Sequence, residues 1–187
     1  MIKLLAIGFL SGVIFVVIGC GKSNPTPDAP KIPSASAPIP ASKERKEALA
    51  KELMSKGLKI VMRDSNPSVV VLDPFEPNSN TISGDSIKRL KETAEIIKSL
   101  SRHASFNING YTGKTPGQNT EFVTKEILSC GYAKAVKIFL IKECGFDGEH
   151  IFVGGMGDGN PTAGDENLSE EKQNRRIEIV IILYNKQ

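Results

Sequence analysis

The chain has 187 residues, 40% of them hydrophobic and 24% charged, and its interspersed Lys, Arg, Asp and Glu leave a net charge of only +3. That balance is too mild and too mixed for an electrostatic nucleic-acid binder, and no aromatic-rich basic stripe accompanies it. Residues 43–187 are enough for one domain with a real core.

Met1-Ile2-Lys3 carries one positive side chain, and an uncharged apolar run follows from Leu4 to Ile18. The run is short for a permanent membrane span and stops at a small residue, Gly19, as a secretory signal does. Residues 1–19 are therefore expected to be a signal peptide. From Lys22 to Ser42 the composition shifts to Pro, Ser and Ala, with Pro25, Pro27, Pro30, Pro33, Pro38 and Pro40. Such a segment lacks the large apolar side chains that offset backbone ordering, and its prolines favour extended geometry. At ~3 Å per residue, roughly twenty residues reach up to ~60 Å, so residues 20–42 read as a tether.

The domain, residues 43–187, opens with a charged, Ala-rich helix from Lys43 to Lys56, ended by Gly57. Leu58–Met62 and Val69–Leu72 read as strands joined around Asp64-Ser65-Asn66-Pro67. Pro74, Pro77 and Asn78 impose an irregular stretch. In the next helix Ile87, Leu90, Ala94 and Ile97 share one face, with Ser83 or Asp85 as its cap.

Phe106 to Thr112 then alternates as a strand running into the turn Gly110-Tyr111-Thr112-Gly113. A turn after a buried strand is where backbone donors and small side chains can face a ligand. A second amphipathic helix is expected from Glu121 to Glu143, with Leu128, Tyr132, Val136 and Leu140 at helical spacing and Gly145 ending it. Ile151–Gly154 and the β-branched run Ile177–Leu183 are the remaining strands. A Gly-, Asn- and acid-rich connection separates them, with Ser169-Glu170-Glu171-Lys172 as a possible helix start. Strand and helix alternate in the expected order strand, helix, strand, helix, strand, strand, giving an α+β fold with helices on one face of a small mixed β-sheet.

Several single features have bland readings. Cys130 and Cys144, if on one helix, are separated by ~21 Å of rise and stay reduced. His103 and His150 have no companion ligands, so surface or capping roles are the default and no metal or cofactor is implied. Gly154-Gly155-Met156-Gly157-Asp158-Gly159 fails both phosphate-loop templates and reads as a loose strand-exit loop. No Ser/His/Asp or Cys/His set stands out, which speaks against an enzyme. Asn174, Arg175 and Arg176 either contact a ligand or hold carboxylates and carbonyls in place.

Val17-Ile18-Gly19-Cys20 resembles the lipobox of bacterial lipoproteins. The resemblance implies cleavage before Cys20 and a lipid thioether on its thiol. With Gly21 rather than an acidic residue next, it implies anchorage in the outer membrane, facing the periplasm. Residues 58–183 resemble the OmpA-like domain, the periplasmic peptidoglycan-associating module of outer-membrane proteins, cell-wall lipoproteins and flagellar stator proteins. Four features carry it: Phe75–Ile82 with the following helix, Ile108-Asn109-Gly110-Tyr111-Thr112, Leu128-Ser129 with Ala133 and Val136, and Asn174-Arg175-Arg176-Ile177-Glu178-Ile179.

The family's turn ends in an aspartate that takes the amino group of the stem-peptide diamino acid, and its second helix carries an arginine that takes a ligand carboxylate. Here those positions are Gly113 and Tyr132. Charge-assisted hydrogen bonds contribute ~1.5–3 kcal/mol each, so losing two costs ~3–6 kcal/mol, or about two to four decades in affinity. Lys114 or Lys125 is a candidate replacement for the arginine, though a point charge without its planar fork. The expected function is a lipid-anchored scaffolding protein at the cell wall with weak or non-standard peptidoglycan association. The alternative is an envelope protein–protein interaction module that has lost wall binding. Candidate binding residues are Gly110, Tyr111, Thr112, Gly113, Lys125, Tyr132, Asn174 and Arg175.

Overall fold

A computed structural model describes residues 38–76, 79–113, 124–159, 172 and 174–185. Residues 37–187 form one compact unit. Residues 1–19, expected to be a signal peptide, Cys20 and nearly all of the expected tether lie outside the described residues, as do Lys114–Val123 and Ser169–Glu171.

Helix α1 (Lys43–Ser55) is capped by Ser42, whose hydroxyl accepts from the Arg45 N–H, and Gly57 follows it with φ +84°. Strands β1 (Ile60–Arg63) and β2 (Asn66–Leu72) form a hairpin. Its turn is tighter than the sequence suggested. Asp64 and Ser65 both take positive φ, the signature of a two-residue primed turn, so Asn66 and Pro67 belong to β2. Helix α2 (Gly84–Leu100) follows, with Ser83 at its N-cap; the Ser83 hydroxyl bonds to Ser86 Oγ at 2.8 Å instead of capping a backbone N–H.

Strand β3 (Ala104–Tyr111) leads toward α3 (Lys125–Cys144), which begins four residues later than expected, at the Thr124 cap. Gly145 ends α3 in the left-handed region at φ 65°, with its N–H on the Leu140 carbonyl. Cys130 and Cys144 both lie on α3 as free thiols. Strands β4 (Ile151–Gly155) and β5 (Arg176–Leu183) complete the sheet.

The sheet order is β1-β2-β5-β3-β4, with β3 and β4 parallel and every other pair antiparallel. The fold is thus α+β with a mixed five-stranded sheet. After α1 the elements run strand, strand, helix, strand, helix, strand, strand, one strand more than the expected alternation, because both arms of the hairpin pair into the sheet.

Period-two side-chain alternation sorts β5 between two environments. Ile177, Ile179, Ile181 and Leu183 join Val69, Val71, Phe106, Ile108 and Ile151 in the core, against Leu49 and Leu53 of α1, Leu90 and Ile97 of α2, and Leu128, Val136 and Leu140 of α3. Arg176 and Glu178 project from the opposite face, each at 0% exposure. No helix among the described residues is long and apolar enough to cross a membrane.

Candidate functional site

Register brings the candidate residues to one end of the sheet. Tyr111, the last residue of β3, pairs with Arg176, the first of β5, so the turn Thr112-Gly113 lies beside Asn174-Arg175. Leu72 also pairs with Arg176, which places Asp73 at the same end. β4 runs parallel to β3, and its exit meets the same turn: the Thr112 N–H donates to the Gly157 carbonyl at 2.8 Å and the Met156 N–H to the Gly110 carbonyl at 2.9 Å.

Helix α3 closes the site by direct backbone approach. A β-carbon on Gly110 would collide with the Ser129 carbonyl, and one on Gly155 with the Glu126 carbonyl. Glycine at these two positions is what lets α3 lie on β3 and β4. Ser129 Oγ, fully buried, accepts the Gly157 N–H at 3.0 Å, and Gly157 has φ +55°. The glycine-rich segment after β4 is therefore pinned to β3 and α3 rather than loose as expected.

The two positions where the resemblance places a charge are filled differently. Gly113 is buried. The Tyr132 ring stacks on Phe75, with centroids 4.2 Å apart and planes 14° from parallel, and both residues are nearly inaccessible. Thr112 is 3% exposed, and its hydroxyl has no hydrogen-bond partner among the described residues. Asn174 is 4% exposed.

The candidate cations both face carboxylates of the chain itself. Lys125 Nζ lies 2.5 Å from Asp158 Oδ2, and this hydrogen bond holds the Asp158 carboxyl below its usual range. Arg175 Nε donates to Asp73 Oδ1 at 2.6 Å, while the Asp73 N–H donates to the Arg175 carbonyl. Asp73 adopts φ 45°, a left-handed conformation that Asp tolerates better than most residues.

Arg176 goes the other way. Its Nε donates to Glu178 Oε1 at 2.8 Å, and its guanidinium lies 3.7 Å from the Tyr111 ring centroid. Arg63, from β1, forks onto the same carboxylate with two 2.7 Å bonds. Tyr111 reaches Glu178 with its hydroxyl at 3.4 Å, and burial, then the nearby carboxylate, push its phenol pKa up. Burial alone would raise the Glu178 pKa, but the hydrogen bonds from Arg63 and Arg176 outweigh it and the net direction is down. Both arginines of the closing signature thus meet carboxylates of the chain, Arg176 at Glu178 on the sheet face and Arg175 at Asp73 beside the β3 exit.

The strand exit was legible in the sequence, whereas Asp73 and Asp158 were not among the expected site residues, and Phe75 and Ser129 stood out only through the family resemblance. All four lie outside β3. No group of three or more potential metal ligands occurs among the described residues.

A mixed sheet with helices on one face and this strand-exit turn defines an OmpA-like domain. Residues 74–175 match the OmpA family, and the chain belongs to it. Among curated proteins the chain is 30% identical over 101 residues to motility protein B of Helicobacter pylori strain J99, an alignment that covers 54% of this chain and 39% of the relative. The chain thus spans about two fifths of that relative's length. The crystal structure of the periplasmic domain of Helicobacter pylori MotB (residues 78–256) is similar at a TM-score of 0.59 and 25% identity, over 66% of this chain and 80% of that one. The cell wall anchor of the type VI secretion system from Pseudomonas aeruginosa shares the fold at a TM-score of 0.58 and 17% identity, over 77% of this chain and 100% of that one.

Proposed function

We propose that this is a lipid-anchored envelope protein, held on the outer membrane through Cys20, whose OmpA-like domain has a scaffolding role at the cell wall with weak or non-standard peptidoglycan association. One observation carries the reading: the position of the family's ligand-binding arginine is occupied by the buried Tyr132 ring, stacked on Phe75. Lys125 and Arg175, the candidate cations among the described residues, already face Asp158 and Asp73. A stem-peptide carboxylate would have to compete with those internal partners. Family membership and the similarity to a periplasmic MotB domain support an envelope setting. The motility function named for the relative is left with that protein, since the chain spans only part of it.

The test is co-sedimentation of the lipid-free unit, residues 37–187, with purified peptidoglycan. Weak binding, raised by restoring the charges in Gly113→Asp with Tyr132→Arg, is the expected result. No co-sedimentation of the parent even at high protein concentration rejects the wall-associated reading. If the double variant folds and binds no better than the parent, the site assignment is wrong. The second reading, a protein-interaction module, is favoured by Phe152 and Met156, which are 58% and 41% exposed on and just after the edge strand β4.

A further inference from the structure

At the other end of the sheet, where β3 begins and β5 ends, a groove of about 1060 Å³ lies between the C-terminal ends of α2 and α3. That volume is near the upper end of the range for small-molecule pockets. Part of its lining is aromatic: Phe106 and Phe146 meet edge to face, with centroids 5.3 Å apart. Lys98 lies over the Phe146 ring. Its ammonium lies 5.8 Å from the Phe146 centroid and donates to the Cys144 carbonyl at 2.9 Å, where the last carbonyls of α3 favour a cation. An ammonium has three donors, so two remain for a ligand.

Arg102, on the link from α2 to β3, lines the same groove and is exposed, with no side-chain hydrogen bond or ion pair among the described residues. Of the carboxylates in the lining, Asp147 is tied to His150 at 2.9 Å, and Glu95 lies one turn before Lys98 on α2. The groove therefore joins an apolar surface to two cations that retain free donors.

We propose that this groove binds an amphipathic anion, with an apolar body against Phe106 and Phe146 and a carboxylate, sulfonate or phosphate head between Lys98 and Arg102. The inference does not depend on wall binding, because no candidate wall-binding residue lines the groove. The head-and-body chemistry is shared by soluble aromatic or alkyl acids and by anionic lipids.

The test titrates the unit 37–187 with 1-anilinonaphthalene-8-sulfonate and with its uncharged analogue N-phenyl-1-naphthylamine, both followed by fluorescence. Saturable binding of the sulfonate is expected, about tenfold or more tighter than the neutral compound. Arg102→Gln, at an exposed position that leaves the core intact, and Lys98→Gln should each weaken the sulfonate by a similar factor. Lys88→Gln, on the exposed side of α2, should change nothing. Equal affinity for the neutral probe, or indifference to both substitutions at the groove, overturns the proposal. Displacement of the sulfonate by phosphatidylglycerol vesicles, but not by phosphatidylcholine vesicles, assigns the ligand to lipid; sulfonate binding without displacement assigns it to a soluble anion.

Discussion

In the cluster on the sheet face away from the helices, Glu178 is wholly buried between Arg63 and Arg176, whose side chains are 30% and 1% exposed. At the strand exits, Lys125 meets Asp158 with 28% and 48% of those side chains exposed. Both are close-range ion pairs, yet the surroundings give them different work. A carboxylate with no access to water cannot exchange its partners for solvent, so the guanidiniums and Tyr111 are needed wherever Glu178 is ionised. An exposed pair loses little when it opens, because water replaces each partner. The cluster therefore ties β1, β3 and β5 together, whereas the Lys125–Asp158 pair can open to water at little cost.

The sharpest way to break that comparison is Glu178→Gln, which leaves two guanidiniums facing a neutral amide. The expected loss is about 3–5 kcal/mol of unfolding free energy, read by urea denaturation. A loss below about 1 kcal/mol would mean that the cluster does not differ from a surface pair. The same carboxylate sets a pH dependence. Its folded pKa is depressed, so its contribution is present above the ordinary carboxylate value of 4.5 and is lost as pH falls through the lower folded value. Stability should therefore fall as the solution is acidified below 4.5 towards that lower value, and the fall should be smaller in Glu178→Gln.

Why one part of this division could be seen in the sequence and the other not follows from where the partners come from. The β-branched run at Ile177–Leu183 and the helical spacing of Leu128, Tyr132, Val136 and Leu140 are local signals, and both elements are present. The end of β3 near Gly110–Gly113 was also legible, although the strand runs on through Gly110 to Tyr111, where a turn was expected. Pairing was not. Arg63 and Glu178 are 115 residues apart, Arg175 and Asp73 are 102 apart, and only the sheet register brings them together. The hairpin boundary was missed for a different reason: Asp64 and Ser65, rather than the stronger turn formers Asn66 and Pro67, take the positive-φ positions.

Asp73→Asn sharpens the comparison at an intermediate degree of burial, since Arg175 and Asp73 are 16% and 22% exposed. Asparagine keeps the tolerance for a left-handed backbone while removing the charge. The expected cost is about 1–2 kcal/mol, below that of Glu178→Gln, because solvent reaches both groups. Asp73→Ala should cost more than Asp73→Asn, since it adds backbone strain at φ 45°. Equal costs for the two substitutions would show that the charge, not the backbone, sets the stability of this corner.

Lys125→Gln has the smallest expected effect on folding and is the most informative about function. The pair with Asp158 is exposed, so removing the ammonium should leave the denaturation midpoint within error of the parent in high salt and nearly so in low salt. Whatever the substitution does to peptidoglycan co-sedimentation is then a binding effect and not a consequence of unfolding. If Lys125 leaves Asp158 to take a ligand carboxylate, Lys125→Gln weakens binding. Asp158→Asn, which frees the ammonium from its internal partner, should strengthen it. Opposite signs for the two variants fit a pair that opens to take a ligand; a matching loss in both would mean that the pair acts only by positioning the turn after β4 against α3.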